Sequence, residues 1–280
     1  MRLGASRFVA GETLDECVEI LRGLNERGFH ANTTLLGEDV HEEAEAAATV
    51  DAYLEILARL HVEGLRVNVA LKLTHLGLDV AETLALENLR GIVERAAELG
   101  NFVRIDMESS AAVDPTLRIY RALREEGLDA VGAVLQSYLY RTPDDLEAIL
   151  PLRPNLRLVK GAYLEPPEVA YPRKEDVDAA YVRIVERSLR GGGYTAIATH
   201  DERMIEHAIA FAEREGIGRD RFELQMLYGV RPQLQADLVA RGFKVLVATP
   251  FGPEWFPFFT RRLAERPANL GFVLRNLVRR

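Results

Sequence analysis

A (βα)8 barrel is the fold class that the sequence predicts, on two observations. Short, continuous apolar runs alternate with amphipathic helical stretches along nearly the whole chain, and the alternation comes round eight times. Runs without polar alternation suit strands buried on both faces of a parallel sheet. Eight such units in about 250 residues match a closed barrel. A doubly wound open sheet alternates in the same way, but it usually carries a Gly-rich turn after an early strand. No G-x-G-x-x-G occurs here. No linker or low-complexity segment interrupts the pattern, so residues 1–280 are expected to form one domain.

Thr13 to Arg27 places Leu14, Val18, Leu21 and Leu24 on one helical face, with Thr13 as N-cap and Gly28 beyond the last turn. Phe29–Leu36 reads as the first strand, and an acidic, alanine-rich helix follows over about 42–60. The later strands are Val67–Leu73, Phe102–Met107, Ala130–Leu135, Leu156–Val159, Tyr194–Thr199, Phe222–Leu227 and Lys244–Thr249. Between and after them come helices at Asp79–Leu99, Pro115–Glu126, Pro143–Leu150, Asp176–Arg190, Asp201–Glu215, Pro232–Arg241 and Glu254–Arg266. Gly127, Gly191, Gly216 and Gly242 stand where helix-terminating glycines belong.

Composition narrows the function classes. The chain has 280 residues, 48% hydrophobic and 28% charged, with net charge −8, and it lacks the basic stripe of a nucleic-acid binder. The single cysteine, Cys17, cannot form an internal disulfide, and no Cys/His spacing suits zinc, so no metal is expected. No signal peptide or membrane span is legible, which leads to the expectation of a soluble, cytoplasmic protein.

In a barrel, chemistry gathers where strands end. Those ends carry Glu38, Lys72, Asp106, Gln136, Lys160, His200 and Gln225. Lys72, Asp106 and Gln136 interrupt apolar runs, and a charge in such a place is rarely buried unless paired. Lys72 and Asp106 lie on successive strands and are expected to meet. Lys160-Gly161-Ala162 lets backbone approach a flat or phosphorylated ligand. Thr199-His200 before a helix N-terminus can serve a phosphate, although a capping histidine is the commoner role. Gln136 can address a heterocycle or serve as a structural amide. Near the end of the chain Arg261 and Arg262 sit side by side on a helical stretch, with Glu265 one turn after Arg261. Paired guanidinium groups grip a carboxylate in a fixed plane. An Arg-Arg pair by itself is more often a solvated helix face.

Seven phrases in order then carry a resemblance: Leu71–Thr74, Val103–Glu108, Val134–Tyr140, Arg157–Tyr163, Ala198–Asp201, Gln225–Arg231 and Thr260–Pro267. With Arg7–Thr13 before them, they resemble the bacterial monofunctional proline dehydrogenases over nearly the whole chain. The resemblance implies a distorted TIM-like barrel with the C-terminal helix over the strand ends. It implies FAD as cofactor and oxidation of L-proline to Δ1-pyrroline-5-carboxylate by hydride transfer to flavin N5. In that reading Arg261, Arg262 and Lys72 bind the substrate carboxylate, Asp106 orients this cluster as a catalytic residue, and Glu265 belongs to the substrate side. Glu38 pairs with Arg261 in the open site, and Tyr163 and Leu227 pack on the ring. Arg157 stands near N5, Gln136 meets the isoalloxazine, and Met107, Lys160, Gly161, Ala162, Thr199, His200 and Gln225 complete the cofactor site. The implied partners are a quinone acceptor, reached by transient contact with the inner membrane, and a pyrroline-carboxylate dehydrogenase. Against many members of that family the chain starts late, so a missing N-terminal helix is expected.

Two positions depart from the family pattern. Ala248 and Phe258 stand where pocket tyrosines are common, which raises hydroxyproline or another cyclic or secondary amino acid as an alternative substrate. A non-redox lyase or aldolase barrel, with Lys72 or Lys160 forming a Schiff base, is the alternative from a different class.

Overall fold

The computed structural model describes residues 8–253 and Trp255. Within them, eight parallel strands close in chain order: β1 (His30–Leu35), β2 (Val67–Leu71), β3 (Val103–Ile105), β4 (Val131–Gln136), β5 (Asn155–Val159), β6 (Tyr194–Ala198), β7 (Phe222–Leu227) and β8 (Val245–Phe251). Closure is made by β1 against β8, in register from His30 opposite Leu246 to Leu35 opposite Phe251. The helices are α1 (Leu14–Glu26), α2 (Glu43–Val62), α3 (Glu82–Glu98), α4 (Val113–Glu125), α5 (Thr142–Ile149), α6 (Lys174–Arg190), α7 (Glu202–Arg214) and α8 (Pro232–Ala240). The predicted final helix and its fold over the strand ends lie outside the described residues, apart from Trp255.

Local chemistry starts α1 as expected. Thr13 accepts from the Glu16 amide while the Glu16 carboxylate accepts from the Thr13 amide, a reciprocal cap. One boundary differs in kind: Gly191 keeps φ −71° at the end of α6, and the left-handed turn falls to Gly192. Strands β2 and β3 are shorter than their apolar runs, so Lys72 and Asp106 stand just beyond the strands, on the first residues of the following loops.

Side chains alternate in and out along each strand. Outward residues such as Val69, Leu71, Ile105, Leu158, Ile197, Leu224 and Val247 pack with Leu57, Leu89, Ile92, Tyr120, Ile184, Ile205 and Leu238 of the helices. The main apolar core is therefore the layer between barrel and helices. The helix ring is laced by Arg–Glu pairs, for example Arg118–Glu82, Arg187–Glu147 and Arg190–Glu215. Exposed pairs of this kind each contribute about 0–1 kcal/mol.

The lumen differs from the branched aliphatic filling common in such barrels. Arg104 on β3 is buried and donates to the carbonyls of Ala133 on β4, at 3.0 Å, and Asn155 on β5, at 2.6 Å. Burial pushes its guanidinium down to about 9, and the nearby Arg157 adds to the effect. Gly132 makes this possible, because a Cβ there would collide with the Arg104 guanidinium, the Asn155 carbonyl and the Phe102 ring. Hence Gly132→Ala is expected to destabilise the fold by about 1–3 kcal/mol through overpacking. Gly91→Ala, on an open face of α3 with nothing within 4 Å of the added Cβ, is expected to stabilise it by roughly 0.5–1 kcal/mol. Urea unfolding of the two variants checks the contrast.

Candidate active site

At the barrel axis, Arg157 spans the lumen from β5. Its Nη1 donates to Asp106 Oδ1 at 2.6 Å, and its Nε donates to Gln225 Oε1 at 2.6 Å. Those partners belong to the end of β3 and to β7, each two strands from β5. Arg157 is 8% exposed, so the paired carboxylate and amide are what make its burial tolerable. Gln225 Nε2 in turn donates to Glu223 Oε1 at 2.6 Å. Glu223 Oε2 receives Lys244 Nζ at 2.8 Å and the Tyr194 hydroxyl at 3.0 Å. Burial alone would raise the Glu223 carboxyl. Lys244, Gln225 and Arg104 outweigh it and hold the group below the ordinary carboxylate range.

The expected Lys72–Asp106 pair does not form. Asp106 binds Arg157 instead, and Lys72 Nζ lies 3.8 Å from Glu38 Oε2. Adjacent strands brought the two near each other, but Arg157 projects into the axis and reaches Asp106 first. Gln136 is buried, and its Nε2 donates to the Glu108 carbonyl at 2.9 Å. Glu108 accepts from the Thr74 amide at 3.1 Å and the Thr74 hydroxyl at 2.6 Å. One chain of bonds thus staples the loops after β2, β3 and β4. Burial pushes the Glu108 carboxyl up, while the Thr74 bonds and Lys72 pull the other way. Met107 is buried between these groups in sequence.

Lys160 Nζ lies 2.7 Å from Asp178 and 3.9 Å from Asp201. Schiff-base lysines are activated by apolar desolvation or by a second cation. Here Lys160 shares Asp178 with Lys174, and Lys72 stands beside Glu38, so each ammonium has a carboxylate neighbour. Gly161 follows at φ +116°, and a Cβ there would strike the Tyr138 ring. Ala162 is exposed and Tyr163 half-buried. Tyr163 lines a cleft of about 410 Å³ with Glu38, Thr74 and Glu108 among its walls. Leu227 is 45% exposed at the end of β7, and Ala248 lies beside it in the β7–β8 register.

Thr199 is buried, and its hydroxyl accepts from the Asp201 amide at 3.1 Å. His200 Nε2 accepts from the Leu227 amide at 2.9 Å, so the ring proton resides on Nδ1. Burial, with Arg231 and Lys160 nearby, drives its pKa down to about 4. His200 therefore serves as a neutral hydrogen-bonding ring and not as a cation for phosphate. Arg231, held at φ +50°, donates to the His200 carbonyl at 2.9 Å and to Glu202 at 2.6 Å, which ties the β6 and β7 loops together. Phe258, Arg261, Arg262 and Glu265 lie outside the described residues.

Glu223, Arg104 and Arg231 escaped the sequence reading. For the first two a signal was present: each is a charge inside a buried strand, two residues before Gln225 or Asp106 on the same face. Among the described residues no group of His, Cys, Asp and Glu could hold a metal, and no helix is long and apolar enough to cross a membrane.

Comparison with known proteins bears on this site. A family profile described as "Proline dehydrogenase" matches residues 17–275. "Proline dehydrogenase" of Deinococcus radiodurans is 43% identical over 279 residues, covering 98% of this chain and 90% of that one. "Proline dehydrogenase 1" of Bacillus subtilis is 40% identical over 279 residues, covering 100% and 92%. Proline utilization A (PutA) from Bdellovibrio bacteriovorus, solved after inactivation by N-propargylglycine, superposes with a TM-score of 0.86 at 25% identity. That likeness covers 92% of this chain but 32% of the PutA chain, so the chain spans about a third of that structure's length.

The buried histidine sets an acid limit. A histidine at 6.5 when unfolded and about 4 when folded contributes stability that is present above about pH 6.5 and lost as pH falls through about 4, at most about 3 kcal/mol. In His200→Gln, which keeps an acceptor for the Leu227 amide, the drop in urea midpoint between neutral and acid pH is expected to be shallower than in the wild type.

Proposed function

The chain belongs to the proline dehydrogenase family, and from that premise we propose that its barrel mouth binds FAD and oxidises L-proline to Δ1-pyrroline-5-carboxylate. The observation that carries this reading is the Arg157 guanidinium, fixed at the barrel axis between Asp106 and Gln225 at the level of the strand ends. The donor set suits a flavin. Carboxamides at Gln136 and Gln225 address a heterocycle edge, Arg157 offers a fixed positive charge, and Lys160 with the glycine after it offers an ammonium and accessible backbone. Ion pairing of Lys160 with Asp178 means that a phosphate would share that ammonium with a carboxylate.

Bound there, FAD would supply the hydride acceptor. The residues supply geometry and charge. Arg157 places positive charge where negative charge grows, and preorganised donors of this kind are a large part of transition-state stabilisation. Asp106 is the acceptor that keeps Arg157 aligned. Lys72, beside Glu38, gives the rim a cation for the substrate carboxylate, completed by Arg261, Arg262 and Glu265. Tyr163, Leu227, Ala248 and Phe258 are the ring-side surface, and Met107, Thr199 and His200 line the cofactor side. The relatives take their names from proline, which favours proline over a substituted ring despite Ala248 and Phe258. A quinone is the proposed acceptor and a pyrroline-carboxylate dehydrogenase the consumer of product. The protein is placed in the cytoplasm with peripheral contact at the inner membrane, and residues 1–280 as one domain.

The purified protein should be yellow, release FAD into the supernatant on denaturation, and be bleached by L-proline. Arg157→Ala is expected to slow flavin reduction by about 10²–10³-fold, the cost of one preorganised donor. Arg261→Ala and Arg262→Ala are expected to keep FAD but lose proline affinity by about 30-fold to several thousand-fold, as truncation of a desolvated charge partner does. Stopped-flow reduction at varied proline separates rate from affinity, and equal small effects at all three positions would overturn the assignment.

A further inference from the structure

We propose that Glu223 is a positioning residue for the reaction, acting through Gln225 to fix the guanidinium of Arg157; this rests on the flavin dehydrogenase reading of the site. The argument begins with the Gln225 amide, which has one donating and one accepting end. Arg157 can only donate and an ionised Glu223 can only accept. With Nε2 at 2.6 Å from Glu223 and Oε1 at 2.6 Å from Arg157 Nε, one orientation of the amide satisfies both. Reversed, the amide would present N–H to the Arg157 N–H and carbonyl oxygen to the Glu223 carboxylate. Glu223 therefore decides which end faces Arg157.

Glu223 is built to stay charged in the lumen. It is 3% exposed, yet Lys244, Tyr194 and Gln225 occupy its oxygens. The Tyr194 hydroxyl, which donates to Glu223, also accepts from Lys244 at 3.1 Å. Lys244 is 40% exposed and precedes β8, so the series starts at the solvated amino end of the barrel. From there charges alternate toward the opposite rim: Lys244, Glu223, Arg157, Asp106. Donor-only and acceptor-only groups leave no member free to rotate, and low dielectric strengthens each bond. A residue set back from the reacting centre thereby holds one that faces it.

Glu223→Gln keeps the shape and removes the acceptor-only character. In stopped-flow reduction by proline it is expected to slow flavin reduction by about tenfold or more, the scale of a lost buried charge-assisted hydrogen bond. Proline affinity should change by less than about threefold, because the effect falls on the rate. In a Gln225→Leu background the same substitution should add nothing beyond about twofold, since both changes cut one relay. A crystal structure of Glu223→Gln should show Arg157 displaced from Gln225. Tyr194→Phe, which withdraws one bond from Glu223 and no charge, should show the same rate-without-affinity pattern in weaker form, and it carries the test if Glu223→Gln fails to fold. A wild-type reduction rate, purely additive effects, or an Arg157 that stays in place would overturn the proposal. A wild-type protein that proline does not bleach would instead overturn the functional reading, while the crystal structure would still decide whether Glu223 positions Arg157.

Discussion

The Arg157 guanidinium, suspended at the axis of the barrel between Asp106 and Gln225, is the interaction on which the rest of this structure depends. A cation held 8% exposed costs several kcal/mol unless its donors are met. Meeting them from β3 and β7 dictates what the lumen can contain. Space at the axis must be polar or vacant, so small residues such as Ala70, Gly132 and Ala196 alternate with Arg104, Gln225 and Glu223. Apolar stabilisation is displaced outward, into the layer between strands and helices, where the leucines, isoleucines and valines collect.

The rim follows the same logic. Its loops are held less by apolar contact than by hydrogen bonds to groups that cannot be left unmet. Glu108 caps the turn at Thr74–Leu76 and presents its carbonyl to Gln136. Glu165 accepts from the Ser110 amide at 2.7 Å and the Ser110 hydroxyl at 2.6 Å, which joins the loop after β5 to the loop after β3. Arg231 clamps the His200 carbonyl. Each bond links loops from different strands, so the mouth of the barrel is preorganised around the place where a substrate and cofactor would lie. Preorganisation is what lets fixed charges act on a transition state without reorganising first.

Charge state is allotted by surroundings. His75 and His200 are both driven to about 4, mainly by burial and then by neighbouring cations, so they function as neutral rings. Glu223, more deeply buried, goes the other way because cations and donors surround it. The lysines at the rim are ion-paired. Such a distribution suits a site that orients an amino acid and stabilises developing charge, and it is poorly arranged for covalent amine chemistry.

The order of elements and the closed parallel barrel were legible in the sequence, because burial on both faces and helical periodicity leave local marks on each segment. The Thr13 cap and the polar interruptions at Lys72, Asp106 and Gln136 could be read for the same reason. Partner choice could not. Lys72 and Asp106 were equally plausible partners on successive strands, and which cation reaches Asp106 depends on how far Arg157 extends across a lumen whose width closure sets. The tautomer of His200 likewise depends on the Leu227 amide, 27 residues away. The relay from Lys244 to Asp106 joins residues on or beside β8, β7, β5 and β3, which meet across the lumen only once the sheet has closed on itself. Periodicity is a property of one segment, whereas pairing across a barrel is a property of all eight, and only the tertiary structure decides it.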